Sequence, residues 1–445
     1  MPFDFEMNIH SQNKNFETAI DAEKMRERFQ RELGKLQGNK ISLPKLYVTR
    51  AFPQKEGGFT IQYELYPERP ESHGIEKMIL CGHLLDPGED WPDYVRKSGR
   101  DCLIMDDIRM IVPVFPFDPG LKSLGDLTKI QQGSHISKAM GDILGKDIEI
   151  EEYEILGYRM GRRCVLRYAV QIKNGYSHQH RIVAKVFRHS RLKKSMKIST
   201  ELQKRGFDHN SPDGITVPRI LGCDDRLGVI FMEDAPGITL HFLIGRAIFP
   251  DACSVGGRTL RKLHSLDTDG LETYTIREEL GNLQRLLKLI NNMYPEFGDS
   301  FRSKLNDLSN KGPGDAPEGV FSHRDFFDKQ LLYSEPRSTL LDCDNAAMAD
   351  PALDFGNFIA HLILRKLQHS DNSANIDKGI NAFIESCGYS GSDFWRRASW
   401  WTRASLLRLF SLYLLRPRWR SIAPEILTQP LDFLKKKSYG GAYEE

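Results

Sequence analysis

Residues 320–358, VFSHRDFFDKQLLYSEPRSTLLDCDNAAMADPALDFGNF, constrain this 445-residue chain more than any other stretch. They set His323, Arg324 and Asp325 before a short β run, with Gln330 five residues past Asp325. Asp342 and Asp344 follow the next apolar run, and Asp350-Pro351 and Asp354 come after them. A loop acid, an amide and two further acids tied to neighbouring strands are the groups that hold a divalent metal beside a hydroxyl receiving a phosphoryl group.

The remaining chain has to supply a scaffold and a phosphoryl donor site. A hydrophobic fraction of 40% with 27% charged residues is that of a globular chain with room for two or three domains. Sixty-two Lys and Arg against 60 Asp and Glu leave a formal charge of +2, which argues against nucleic acid or a membrane surface as partner. The seven cysteines are widely spaced with no C-x-x-C pair, as reduced core thiols are. The N-terminal residues lack a basic and apolar leader pattern, and no run is long enough to span a membrane; the expectation is a cytoplasmic protein.

Residues 16–36 are rich in helix formers, with Gly38-Asn39 as a stop, and predict a surface helix. From Ile41 to about Val114, runs such as KLYVTRAF, GFTIQYELY and KMILCGHLL predict a small meandering sheet. Residues 113–130 read as an extended connector, and His10, His73 and His83 are too scattered for a metal site. This part reads as an accessory or lid domain.

Three strand-like runs follow between Glu149 and Phe187, the second and third joined by an Asn174-Gly175 hairpin signal. The first two meet at Gly161, which is either an ordinary turn or one where the backbone approaches phosphates. Lys185 sits among Val183, Ala184 and Val186, where an inward lysine calls for an anion; the alternative is an edge-strand lysine. Glu201 is the one carboxylate between residues 186 and 207, so it is the acid that would orient Lys185. Two more strands, 217–221 and 228–233, complete a five-stranded lobe, and Asp234-Ala235-Pro236-Gly237 reads as a hinge whose backbone can meet an adenine edge. Leu260, Leu263 and Leu266 then start a helical lobe.

The order of Lys185, Glu201, the Met232-Glu233 hinge, His323-Arg324-Asp325, Gln330, Asp342 and Asp350-Pro351-x2-Asp354 resembles the aminoglycoside phosphotransferase and choline kinase-like family. The resemblance covers roughly residues 148 to 420. It implies an α+β, two-lobed protein kinase-like fold, with an antiparallel sheet lobe and a mainly helical lobe, ATP and Mg2+ as cofactors, and γ-phosphoryl transfer to a hydroxyl of a small molecule. In that frame Asp325 takes or orients the acceptor proton, His323 braces the loop and Asp354 holds it by hydrogen bonds. Asp342, Gln330 and Asp344 face the metal; Lys185, Glu201, Gly161, Glu233 and Ala235 face the nucleotide. The family has asparagine where this chain has Gln330, whose extra methylene displaces the amide oxygen by about an ångström, with Asp328 as a possible substitute. Asp354-Phe355-Gly356 spells the protein-kinase D-F-G, yet it lies 29 residues after Asp325 whereas Asp342 lies 17 after it, behind the Thr339-Leu340-Leu341 run; position decides for Asp342.

Beyond Phe355 the chain reads as helical. Seven arginines between Ser392 and Arg420 are either a solvated face or the lining of an acceptor cleft; Trp395, Trp400 and Trp401 are either core or a stacking surface for a sugar. Residues 1–135 are expected as an accessory domain, 136–235 as the sheet lobe and 236–445 as the helical lobe ending in a loose tail. The acceptor is expected to be neutral or anionic. The alternative function is a catalytically impaired, nucleotide-binding regulator, motivated by Gln330.

Overall fold

The computed structural model describes residues 9–38, 41–54, 57–68, 78–86, 88–93, 95, 101–173, 180–314 and 317–434. The Asn174-Gly175 turn, His73 and the C-terminal tail lie outside them. The chain divides into two units. The first is formed by residues 1–192, 221–232 and 412–421, the second by 193–220, 233–411 and 422–445.

In the first unit the expected N-terminal helix is two helices, α1 (Ile9–Ala19) and α2 (Ala22–Gln37). The break is Asp21, whose carboxylate accepts the Glu23 and Lys24 N–H groups at 3.1 Å and so begins a new helix. Gly38, at φ 71°, ends it. This pair is also less superficial than expected. Phe16, Met25, Phe29 and Leu33 are buried, and Phe29 meets Tyr63 edge-on at 5.0 Å. Tyr63 belongs to the expected meander, an antiparallel sheet ordered β1-β2-β3-β5-β4, with β1 (Lys45–Pro53), β2 (Phe59–Tyr66), β3 (Met78–Leu84), β4 (Cys102–Met105) and β5 (Met110–Pro113).

After α3 (His135–Leu144) comes the second sheet, ordered β10-β11-β8-β7-β6. Its strands are β6 (Ile148–Arg159), β7 (Arg163–Ile172), β8 (His180–Phe187), β10 (Ile220–Asp224) and β11 (Val229–Glu233). The two-residue β9 (Ile215–Thr216) joins a different sheet in the second unit. Cys164, Leu166, Tyr168, Ile182, Ala184 and Val186 form one core with Ile136 and Met140 of α3. The connector is more than a spacer: Asp118 is buried, its Oδ1 accepting from Gly120 and Leu121 N–H and its Oδ2 from Tyr158 Oη and Gly161 N–H, the last two at 2.8 Å.

The second unit is mainly helical. It contains α4 (Phe249–His264), α5 (Ile276–Met293), α6 (Gly298–Lys311), α7 (Pro351–Gln368), α8 (Ser373–Cys387) and all but the last three residues of α9 (Ser392–Leu414). A capping box starts α5, the Thr275 hydroxyl accepting from Glu278 N–H while Glu278 accepts from Thr275 N–H. Asp350 caps α7 through Ala352 N–H at 2.9 Å, with Pro351 at its first turn. Trp395, Trp400 and Trp401 resolve as core: Trp400 Nε1 donates to Leu308 O at 3.0 Å and Trp401 Nε1 to Asp350 at 3.1 Å. The fold is α+β, an antiparallel sheet region followed by a mainly helical one. Among the described residues no helix is long and apolar enough to cross a membrane.

Candidate active site

The acid stretch folds as four short strands. They are β13 (Val320–Ser322), β14 (Leu331–Ser334), β15 (Arg337–Leu340) and β16 (Ala347–Ala349); β14 pairs with β15 and β13 with β16, both antiparallel. The loop between β13 and β14 carries His323 to Gln330.

Asp354, on the first turn of α7, organises that loop. It is fully buried, and its Oδ2 accepts the Ser322 hydroxyl at 2.8 Å and His323 N–H at 2.6 Å. Its Oδ1 accepts Arg324 N–H at 2.7 Å, and His264 Nε2 lies 3.3 Å from Oδ2. Burial raises the carboxyl, but His264, His323 and Ser322 overcome it and hold the group below its ordinary value. Three consecutive residues, Ser322 to Arg324, are thereby fixed by one side chain, and Arg324 is held at φ 65°, a left-handed backbone that non-glycine residues seldom adopt.

His323 is also fully buried. Its Nδ1 accepts the Asp325 N–H at 3.2 Å and its Nε2 contacts Leu341 O at 2.8 Å. Burial opposes a charge on this ring, and Cys343 and Asp354 outweigh it and push the ring up to about 10; against that, an Nδ1 that accepts an N–H carries no proton, and this hydrogen bond decides for the neutral ring with its proton on Nε2. His323 thus links the Asp325 backbone to the strand end carrying Asp342. Leu341 N–H donates in turn to Gln330 O at 2.8 Å, a second tie between the same segments. Gln330 Nε2 lies 3.4 Å from Asp325 Oδ2. Asp342 begins the 310 turn Cys343–Asn345 at φ 62°, and Asp344 Oδ1 accepts the Ser195 hydroxyl at 2.6 Å.

Asp328 does not stand in for Gln330. It is fully buried, bonded by Arg365 Nε at 2.8 Å and Nη2 at 3.1 Å and by His241 Nδ1 at 3.1 Å. Burial raises its carboxyl, and Arg365 with His241 drives it far below its ordinary value. That is a buried structural ion pair.

The other sequence-derived positions fall in both units. Lys185 and Gly161 belong to the first unit, and Glu201, Glu233 and Ala235 to the second. Lys185 is 8% exposed on β8, opposite Val165 of β7, its Nζ 5.1 Å from the Phe187 ring centre. Gly161 has φ 66°, and its N–H is committed to Asp118, so the backbone N–H that a phosphate cradle would use at this turn is already taken. Cationic side chains surround the turn instead: burial, Arg191 and Arg188 push the Arg162 guanidinium below its ordinary value. Glu201 pairs with Lys204 at 3.2 Å and Arg205 at 3.7 Å, and Glu233 pairs with Arg219. Ala235 is half-buried between β11 and β12 (Ile238–Thr239).

A cavity of about 790 Å³ adjoins the catalytic loop within the second unit, lined by Arg324 and by residues of α5 and the segment before it, Tyr274, Arg277, Asn282 and Arg285 among them. The α5 residues escaped the sequence reading. Their signal was the spacing Arg277, Gly281, Arg285, which places two arginines on one helix face with a gap between them. Two of the α9 arginines that sequence singled out are engaged elsewhere, Arg397 with Asp350 at 3.3 Å and Arg408 with Glu279 at 3.0 Å. Among the described residues no group of three or more His, Cys, Asp or Glu is disposed to hold a metal ion.

Residues 166–376 match the model of the phosphotransferase enzyme family, and the resemblance to aminoglycoside phosphotransferases and choline kinases is borne out. No curated protein matches the sequence. Among solved structures the chain is similar to a macrolide 2'-phosphotransferase from Brachybacterium faecium, at 18% identity and TM-score 0.42, covering 66% of this chain and 97% of that one. It is similar also to a choline/ethanolamine kinase family protein from Mesorhizobium loti, at 14% identity and TM-score 0.42, covering 65% and 93%. An ethanolamine kinase from Plasmodium vivax aligns at 12% identity and TM-score 0.48, covering 79% and 97%.

Proposed function

We propose that this chain, with its phosphotransferase-family segment, is an ATP- and Mg2+-dependent kinase that phosphorylates a hydroxyl of a small molecule, with residues 1–135 as an accessory domain. The observation that carries the reading is the loop pinned by Asp354, which presents Asp325 beside Gln330 and ties both to the strand end of Asp342.

Asp325 accepts the proton of the acceptor hydroxyl as its oxygen bonds to the γ-phosphorus, while the bond from that phosphorus to the β–γ bridging oxygen breaks and ADP leaves. Gln330, donating to Asp325, orients the carboxylate. The neutral His323 holds the Asp325 backbone and exchanges no proton with substrate, because both its nitrogens are engaged. Asp342 and the Gln330 amide oxygen offer the hard oxygen donors that Mg2+ prefers, and one or two protein ligands suffice because Mg2+ keeps waters and phosphate oxygens. When bound, the ion neutralises charge on the phosphates. Asp344 supports that side through its bond to Ser195. On the donor side, Lys185 and the arginines around Gly161 offer cations to phosphate and the Glu233 to Ala235 segment offers backbone groups to the base, while Glu201 is spent on Lys204 and Arg205.

Incubation with Mg2+, ATP and a metabolite pool is expected to yield phosphorylated products that disappear with Asp325→Ala. Turnover persisting in that variant removes Asp325 from its role. A nucleotide-binding regulator is favoured if ATP stabilises the protein regardless of Mg2+ and no acceptor is phosphorylated. Gln330 supports that second reading, since its amide is shared with Asp325.

A further inference from the structure

We infer that the acceptor carries an anionic group, a carboxylate or a phosphate ester, held by Arg277, Arg285 and Arg324 in the cavity beside Asp325. This rests on the kinase reading above and names the acceptor class for the same site.

The cavity is an open one of about 790 Å³, with the exposed side chains of Arg277 and Arg285 on its α5 wall. It reaches the catalytic loop through Arg324, which lines it and directly precedes the proposed base in the chain. Five charged side chains line it: Arg277, Arg285, Arg324, Glu272 and Glu278. The two acids are already committed. Glu272 bonds Lys194 at 2.6 Å, and Glu278 closes the α5 capping box, accepting from Thr275 N–H at 2.6 Å and Oγ1 at 3.1 Å. The next carboxylate on the helix, Glu279, is buried and taken by Arg408 at 3.0 Å and Tyr274 Oη at 2.5 Å.

The three cations are not neutralised in the same way. Arg277 makes no hydrogen bond or ion pair among the described residues, and the Arg285 guanidinium meets only the neutral Asn282 amide. Arg324 lies on the Tyr274 ring with its Cζ 3.8 Å from the centre, and its Nε is buried with no hydrogen-bond partner. A buried unpartnered donor is unfavourable unless something else bonds it. Tyr274 is itself fixed, by Glu279, by Asn282 Nδ2 at 2.8 Å and by its own N–H to Met348 O at 2.8 Å. The platform therefore holds Arg324 at one place on the cavity wall.

Counting Lys194 against Glu272, the cavity has three cations to one acid, Glu278. A planar guanidinium matches carboxylate and phosphate oxygens in paired hydrogen bonds, so these donors select an anion and repel a polycation. Gly281, between the two helix arginines, keeps the floor open: a Cβ there would meet nothing within 4 Å.

The test uses the full chain, ATP, Mg2+ and four acceptors sharing one ring: a neutral sugar, its monophosphate, its sugar acid and its amino sugar. The expected result is a kcat/KM at least about tenfold higher for one or both anionic acceptors than for the neutral sugar, with the amino sugar poorest. Replacing both Arg277→Gln and Arg285→Gln raises the KM for the preferred anion by about ten- to a hundredfold and changes kcat by about twofold or less. Gly281→Leu, which projects into open space, raises the same KM by filling the cavity. Titration calorimetry of the sugar monophosphate and the sugar acid without ATP reads the site apart from turnover. A preference for the neutral or amino sugar, or a double variant with unchanged KM, overturns the anionic acceptor and leaves the kinase reading standing. No transfer to any acceptor, with an anion still bound by the wild type and lost from the double variant, overturns the kinase reading and keeps the anion site. Absence of both transfer and binding overturns the anion site.

Discussion

Asp354→Asn is the sharpest perturbation of this site, because it replaces a fully buried carboxylate by an amide of nearly the same size and so creates no cavity. The carboxylate accepts from Ser322 Oγ, His323 N and Arg324 N, with His264 Nε2 in reach. An asparagine keeps one oxygen. If it takes the Oδ2 place, its NH2 faces the Arg324 N–H across 2.7 Å, donor against donor; the opposite rotamer sets it against His323 N–H at 2.6 Å. One charge-assisted bond of about 1.5–3 kcal/mol is lost, and a buried donor left unpaired adds about 1–3 kcal/mol. The expected destabilisation of the second unit is about 3–5 kcal/mol, the scale of a broken buried pair. Urea unfolding followed by tryptophan fluorescence reads it, since Trp395, Trp400 and Trp401 all lie on α9. The sign of the pH dependence is fixed by a folded-state carboxyl held below its ordinary value. Its contribution is complete above the unfolded-state value of about 3.9 and fades as pH falls through the folded-state value, so the gap between wild type and variant narrows only in acid. Asp342→Asn makes the contrast: asparagine tolerates the left-handed φ of 62°, so stability holds within about 0.5 kcal/mol while turnover is lost. A stable, inactive Asp354→Asn protein alongside an active Asp342→Asn protein would show that the D-F-G aspartate, and not Asp342, faces the metal.

Arg365→Met leaves Asp328 buried without its guanidinium partner, with His241 bonded and His361 near, and unfolding experiments are expected to show a loss of about 3–5 kcal/mol. Adding Asp328→Leu to that variant recovers part of the loss; no recovery means that Arg365 acts through its packing. Asp118→Asn removes the charge that accepts Gly161 N–H and Tyr158 Oη, and is expected to raise the KM for ATP by about three- to tenfold through a looser turn, with kcat little changed. An unaltered KM for ATP separates that turn from nucleotide binding.

What the sequence disclosed was whatever is local in the chain. Most strands of the two large sheets are visible as β-branched and aromatic runs bounded by turn residues, but the run expected at 217–221 folds as β10 three residues later, at Ile220–Asp224, and the short β4 and β5 were not singled out. The N-terminal helix pair was harder to read, because propensity runs unbroken through residues 16–36 and the break depends on a single capping side chain, Asp21. The short β9 was invisible for a different reason. Two residues carry no periodicity, and β9 exists because Ser338 and Thr339 of β15 pair with Ile215 and Thr216 from more than a hundred residues away.

The same distinction governs the site. The acids of residues 320–358 stood out because their spacing follows two adjacent strands, and an aspartate 29 residues after Asp325 could be set aside on position alone. Partners distant in sequence could not be read this way. Asp328 looked like a free carboxylate until Arg365, 37 residues away, arrived beside it. Asp118 looked like a residue of a linker, yet it accepts the Gly161 N–H from 43 residues off. Arginine density misled in the same sense. The seven arginines after Ser392 drew attention by number, but Arg397 and Arg408 pair with acids inside the fold, whereas Arg277 and Arg285 stand apart in sequence and share one wall. Number alone therefore says little about where positive charge is available. An arginine whose acids are claimed by a capping box, a lysine or a deeper arginine keeps its charge for a ligand, and that is the situation on the cavity face of α5.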